Sequence, residues 1–196
     1  DINVTGIWKK NEYSSPVASM TRRYIPLLYN QTVQNILSKT VDNHNLTKFD
    51  VKTSSDLHKY TKSSLISPEK NDTFKYKLIH TPSQTVYASR RDKFQDGFKV
   101  FISTTDKYKV FVDNCGMTQS IVFILCPSKK LAHYYANILN HPLYVFINNI
   151  CRWGNFNNIR ILQSFPIPDV SSIDIDNIYN YFNITHDEIT YIQNHL

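Results

Sequence analysis

Apolar positions Ile25, Leu28, Tyr29, Val33, Ile36 and Leu37 recur at helical spacing between Tyr24 and Ser38, with Pro26 tolerated in a first turn. The pattern predicts an N-terminal helix. Before it, Trp8 to Arg23 mixes aromatic, Lys and Ser residues with no clear period, and the sequence does not place it. After it, Lys39 to Thr73 is polar with few large apolar residues and reads as an irregular surface insertion. The period then changes. Phe74–His80, Gln84–Arg90, Phe98–Ser103, Tyr108–Asp113 and Ser120–Cys126 are short, β-branched and aromatic, with turn residues between them. Thr104–Lys107 reads as a hairpin turn, and Asn114-Cys115-Gly116 as a tight connection in which Gly116 is free to take positive φ. These strands predict a mainly antiparallel, twisted sheet.

Helical signals return at the end of the chain. Ser128 can cap a helix to about Asn140 that buries Leu131, Tyr134 or Tyr135, Ile138 and Leu139. Pro142 starts another, with Leu143, Phe146, Ile147 and Ile150 inward. A third is expected from Ser172 to Phe182, and Thr185 with Glu188 has capping-box spacing ahead of a last one. The expected fold is α+β, one domain over residues 1–196: a helical and irregular part (1–73), a sheet (74–126) and a C-terminal helical tail (127–196).

Composition changes this picture in one respect. A hydrophobic share of 41% supports a packed core. The net charge of +6, together with 13 Tyr and 11 Phe, makes nucleic acid the leading partner class, because basic surfaces concentrate polyanions and aromatic rings stack on bases. The same charge also serves solubility. Cys115, Cys126 and Cys151 form no CxxC pair, so neither a zinc site nor a disulfide framework is indicated, and Cys126 and Cys151 lie in apolar runs as inert thiols. No secretory signal is read at the start, and no apolar run reaches the ~18–20 residues of a membrane span. A reducing cytoplasm is the expected compartment. The Asn-x-Ser/Thr triplets at Asn3, Asn30, Asn45, Asn71 and Asn183 are no more than so Asn-rich a chain produces by chance.

Catalytic signatures are missing. The glycines (Gly6, Gly97, Gly116, Gly154) are dispersed, so no phosphate-cradling loop or dinucleotide fingerprint exists, and HExxH and GxSxG are absent. The histidines are scattered, and Asp187-Glu188 reads as first-turn charge at a helix N-terminus. No catalytic or metal-ligating residue is assigned. A binding module is favoured.

Two stretches then carry a resemblance. Asn155-Phe156-Asn157-Asn158-Ile159-Arg160-Ile161-Leu162-Gln163-Ser164-Phe165-Pro166-Ile167-Pro168 resembles a loop and short helix ending in "PIP" in the specificity regions of restriction–modification methyltransferases. Ile178 to Ile192, with its Tyr-Phe-x-Ile-Thr run and acidic capped helix, is similar to their C-terminal ending. Upstream, Lys99-Val100-Phe101-Ile102 and Val110 to Ser120 resemble a strand, a "D-x-x-G" turn and a "T-x-S" entry to the next strand. The likeness covers about Lys99–Leu196 and points to N6-adenine DNA methyltransferases with a TaqI-like C-terminal specificity domain. It implies double-stranded DNA as partner, together with a catalytic methyltransferase domain or subunit. The chain departs from the family in lacking the (N/D)PP(Y/F) motif that grips a flipped base and the Gly-containing loop for S-adenosylmethionine. That cofactor is therefore expected only on a separate catalytic domain, and methyl transfer is not assigned to this polypeptide.

A recognition domain holds phosphates with Lys and Arg and reads base edges with polar side chains. Three clusters fit. Arg90, Arg91 and Lys93 lie at a strand end; Ser103, Thr104, Thr105 and Lys107 belong to a hairpin tip; Arg152, Trp153, Asn155, Asn157, Asn158 and Arg160 follow a helix. Blander readings stay open: a solvated turn for the first, a plain turn for the second, and Trp153 packed on the core with Gly154 as a helix C-cap for the third. Arg22-Arg23 is a further phosphate candidate, whereas Lys59 is placed outside the interface. The competing function is a protein-interaction subunit or inhibitor using the same basic aromatic surface. A metal-dependent nuclease would need clustered carboxylates, which the sequence does not offer.

Overall fold

The computed structural model describes residues 2–17, 26–105, 107–169 and 177–196. Arg22 and Arg23, the start of the helix expected from Tyr24, Asp106 at the hairpin tip, and the helix opening expected at Ser172 lie outside the described residues. The segment that sequence periodicity did not place forms an antiparallel hairpin, β1 (Ile2–Trp8) with β2 (Asn11–Val17). Its turn is Lys9-Lys10, both at positive φ (49° and 70°), the sign pattern of the primed turns that suit a right-twisted ribbon.

Helix α1 (Gln31–Lys39) follows the hairpin and begins later than its apolar spacing suggests. Asn30 is the reason: its side chain accepts the Val33 N–H at 2.9 Å and so fixes the helix start. The donors just before it serve tertiary partners, Leu27 N–H on the Ile150 carbonyl and Tyr29 N–H on the Tyr13 hydroxyl, so Pro26 stands ahead of the helix.

The remaining strands form two sheets where one was expected. In the central sheet, β3 (Lys52–Thr53), β10 (Ile121–Cys126), β7 (Phe98–Ser103) and β8 (Val110–Asp113) lie in that order, all antiparallel. In the second, β4 (Ile66–Ser67), β6 (Gln84–Ala88) and β5 (Tyr76–Thr81) are antiparallel, and β9 (Gly116–Met117) adds beside β5 in parallel. Side chains alternate across a strand, and both faces of β7 and β10 are covered. Val100, Ile102, Val122 and Ile124 join the core under the helices, whereas Phe101, Ile121 and Phe123 pack on Ile79, Cys115 and Met117 toward the second sheet. Each such buried aliphatic or aromatic side chain contributes about 2 kcal/mol. Lys99 is also fully buried, its ammonium donating to the Asp96 and Gly97 carbonyls at 2.8 Å.

Gly116 does not take positive φ, contrary to the sequence reading. It is required for close approach instead: a Cβ there would stand 2.7 Å from Leu78 Cδ2 and 2.8 Å from Asp92 Cβ.

The helical part follows its capping signals, although the helix after Ser128 buries Ala132 and Ala136 with Ile138 and Leu139 and leaves Leu131, expected inward, only partly buried. Ser128 caps α2 (Lys129–Leu139) by accepting the Leu131 N–H, and Pro142 occupies the first turn of α3 (Pro142–Ile150), whose Leu143, Phe146, Ile147 and Ile150 are buried. Two short helices, α4 (Ile159–Gln163) and α5 (Ile178–Tyr181), precede α6 (His186–Asn194). The Thr185–Glu188 capping box is formed, and buried Glu188 also receives Lys39 at 2.7 Å, tying α6 to α1.

The Lys9-Lys10 turn yields a test. Lys10 bears a left-handed conformation that costs an L residue about 1 kcal/mol, offset in part by the chain entropy of a glycine. Lys10→Gly is expected to raise the thermal midpoint slightly; a lowered midpoint would show that the turn carries no strain.

Candidate nucleic-acid interface

The first predicted cluster serves mainly to hold the chain. Arg90 donates to both carboxylate oxygens of Asp56, at 2.9 and 3.0 Å, and the Lys93 backbone N–H reaches the same carboxylate at 2.9 Å. The Arg90 hydrogen bond holds the Asp56 carboxyl below its ordinary pKa, against the effect of partial burial. Arg91 pairs with Asp96, and the Lys93 ammonium lies over the Phe94 ring. Between them, Asp92 is buried: Oδ1 accepts the Phe94 N–H at 2.8 Å, and Oδ2 has no hydrogen-bond partner.

The second and third clusters form one unit. Asn157, buried, donates from Nδ2 to the Ser103 carbonyl at 2.7 Å and to Ser103 Oγ at 3.2 Å. Its Oδ1 accepts from Asn148 at 3.0 Å, and its backbone N–H reaches the Thr104 carbonyl at 2.9 Å. Ser103 Oγ in turn donates to the Lys107 carbonyl and accepts the Lys109 N–H, and Thr104 Oγ1 donates to the Ser120 carbonyl. A bridge between Thr105 and Phe156 completes the junction. Ser103, Thr104 and Asn157 are thus braces whose polar atoms already have partners, and Asn158 caps α4 by accepting the Arg160 N–H at 3.1 Å.

On this brace stands a tight turn. Trp153 and Phe156 exchange both backbone hydrogen bonds at 3.0 Å, and Gly154 at φ 58° occupies the first central position, where a II′-type hairpin favours glycine. The turn displays its rings: Trp153 is 81% exposed and Phe156 60%. Packing of Trp153 on the core, one of the readings the sequence left open, is therefore not what the fold does. Asn155 and Arg160 are exposed beside them.

Along the chain the turn runs from one depression to another: Arg152, just before it, lines one, and Phe156, at its end, lines the other. The depression at Phe156, of about 420 Å³, is lined mostly by residues with polar side chains, Thr104, Thr105, Gln119, Asn158 and Arg160 among them, together with apolar surface from Phe156 and Ile159. The other, of about 490 Å³, gathers Lys9, Lys107 and Arg152 around Trp8 and Tyr108, with no Asp or Glu among the described residues of its lining and with the Lys9 ammonium donating to the Leu196 carbonyl oxygen at 3.0 Å. Sequence reasoning missed Lys9, because the hairpin that carries it had no recognisable turn, and Gln119, which lay inside a motif read only for its shape. It also set Lys59 apart, whereas the Lys59 N–H donates to Gln119 Oε1 at 2.9 Å and so borders the polar cleft.

Nucleophilic chemistry finds no support in the thiols. All three cysteines are buried and unpaired with one another, and burial pushes Cys115 up to about 12 and Cys126 up to about 11. Among the described residues, no group of three or more His, Cys, Asp or Glu could hold a metal ion, and no helix is long and apolar enough to cross a membrane. Comparison with protein families, with curated proteins and with solved structures returned no match.

Two outcomes follow from this geometry. Asn157→Ala orphans the Ser103 carbonyl and the Asn148 amide and is expected to destabilise the fold by about 2 kcal/mol, measured by denaturant unfolding; a loss no larger than that of Asn155→Ala would show the brace to be dispensable. Burial raises the Asp92 carboxyl above its ordinary pKa, so its contribution is most favourable in acid, below the ordinary carboxylate value, and is lost as pH rises through the raised folded value. Asp92→Asn is therefore expected to stabilise the protein at neutral pH by about 1 kcal/mol, with the advantage fading in acid; a pH-independent difference would contradict the assignment.

Proposed function

We propose that the chain is a sequence-specific duplex-DNA recognition module of a site-specific, adenine-N6 DNA methyltransferase of a restriction–modification system, with the methyl-transferring domain and its S-adenosylmethionine outside this chain. The observation that carries the DNA part is the aromatic turn Trp153–Phe156 running from a basic groove to a polar cleft. Phosphates are held by Lys and Arg side chains, and Lys9, Lys107 and Arg152 line one groove, where the Lys9 ammonium donates to the Leu196 carbonyl oxygen at 3.0 Å. Base edges are read by side chains with both donors and acceptors or with a planar fork, and Gln119, Thr105, Asn155 and Arg160 are of those types. The methyltransferase context rests on the likeness of residues 99–196 to specificity domains of that family.

The work of the site would be positional. The braces at Ser103, Thr104 and Asn157 hold the turn rigid before DNA arrives, so little ordering entropy is lost on binding. The exposed rings would rest on the nucleotide surface between the phosphate track and the base edges.

Fluorescence anisotropy with random and selected duplexes tests this. Binding is expected to weaken as salt rises, and Lys107→Ala and Arg152→Ala should each lower the salt slope by about one, whereas Lys70→Ala, exposed between β4 and β5, should leave it unchanged. Gln119→Ala and Arg160→Ala should instead narrow the gap between selected and random sequences. Absence of binding at low salt would sink the reading, and capture of an acidic protein in its place would favour an interaction subunit or inhibitor.

A further inference from the structure

Segment 56–62, which the sequence assigned to an irregular insertion, is tied down by several hydrogen bonds and one buried side chain. Leu57 is fully buried with Leu78, Val86 and Ala88. His58 Nδ1 accepts the Tyr60 and Thr61 N–H groups at 3.3 and 3.4 Å, and the His58 carbonyl accepts the Lys62 N–H at 2.9 Å. The Lys62 ammonium closes back on the Asp56 carbonyl at 2.6 Å, and the Lys59 N–H is held by Gln119 of the polar cleft. At the head of the segment, Asp56 is gripped by Arg90 through two hydrogen bonds and by the Lys93 N–H.

All this order serves to display one ring. Tyr60 is 70% exposed, in T-shaped contact with His58 and His80, and the Lys59 ammonium lies 6.0 Å from its centroid while donating to Gln84 Oε1 at 3.2 Å on the exposed surface. An exposed ring adds little to the fold, so its rigid presentation beside a cation is a feature of a contact surface. A cation and a flat apolar face on successive residues are groups of the kind that contact phosphate and sugar along a nucleic-acid strand. The segment is also continuous, through Gln119, with the cleft already described. The carboxylate at the head of the segment, Asp56, is paired with Arg90, which offsets the repulsion it would otherwise exert on a polyanion.

Resting on the DNA-recognition reading, we propose that Lys59 and Tyr60 form a second contact to the same duplex, Lys59 meeting a phosphate and the Tyr60 ring packing on the adjoining deoxyribose, and that Asp56 with Arg90 is the clamp that positions them. Arg90, expected from sequence to touch DNA, then acts through Asp56 as a positioning residue.

The test is anisotropy on the whole chain with a random-sequence duplex and a set of selected duplexes. Tyr60→Ala is expected to weaken binding to all of them alike, roughly fivefold, the scale of one ring contact, and Tyr60→Phe to retain it. Lys59→Ala should lower the salt slope by about one. Asp56→Asn separates clamp from charge by sign: losing a negative charge should tighten DNA binding if only charge counts, whereas losing the clamp should weaken it, and the loss should not add to that of Tyr60→Ala. Circular dichroism checks that Asp56→Asn folds, and Tyr60→Ala, at an exposed ring, tests the contact independently. If the wild type binds and Tyr60→Ala and Lys59→Ala match it, the second contact is wrong while the recognition reading stands. If the wild type does not bind, both fall. A Tyr60→Ala loss confined to particular sequences would overturn the sugar assignment, and tighter binding by Asp56→Asn would overturn the clamp.

Discussion

The buried amide of Asn157 connects three parts of the chain that also share one hydrophobic core: the end of β7 at Ser103, helix α3 at Asn148, and the loop leading into α4. A buried amide costs several kcal/mol if its donors and acceptor go unmet, and here both ends find partners, so the arrangement admits few alternatives. The turn that displays Trp153 and Phe156 takes its position from that junction. Trp153 and Phe156 contribute little burial of their own, and without the amide their turn would be a loose excursion between α3 and α4.

Beneath the junction lies a platform of unusual symmetry. Because β7 and β10 bury both faces, one toward the helices and one toward the second sheet, neither strand can shift register without moving apolar residues on two sides at once. Their ends at Ser103 and Ile121 carry the loops that line the polar cleft. The surface is thus built on the least deformable part of the fold, which is where a binding constellation keeps its geometry best.

What the sequence revealed depended on how local each signal was. Ser128, Pro142 and the Thr185–Glu188 pair act within one helical turn, and each marks its helix correctly. The β1–β2 hairpin was illegible because its turn is Lys-Lys where Asn-Gly would be expected, and because β1 contains Gly6, under the Tyr13 ring, and β2 contains Pro16. The split into two sheets was illegible because β5 and β6 pair with β4 and β9 and not with β7 or β10, a tertiary choice that no period announces. Within the candidate site, residue type was readable and partnership was not. Asn155, Asn157 and Asn158 look alike in sequence, yet one is exposed, one is a buried brace and one is a helix cap. Arg90 finds its carboxylate 34 positions away, inside a stretch that composition describes only as polar.

The β1–β2 ribbon has one further consequence, for how the molecule behaves in company. Its two strands pair only with each other among the described residues, so each presents an outer row of backbone donors and acceptors. Natural sheets guard such rows with proline, charge or brevity. β2 carries Pro16 and Glu12, whereas β1, seven residues long, carries neither a proline nor a charged side chain and exposes Ile2 and Ile7. Crowded copies of this chain would therefore meet along β1 first, and a single lysine set into that strand is the economical guard against self-association.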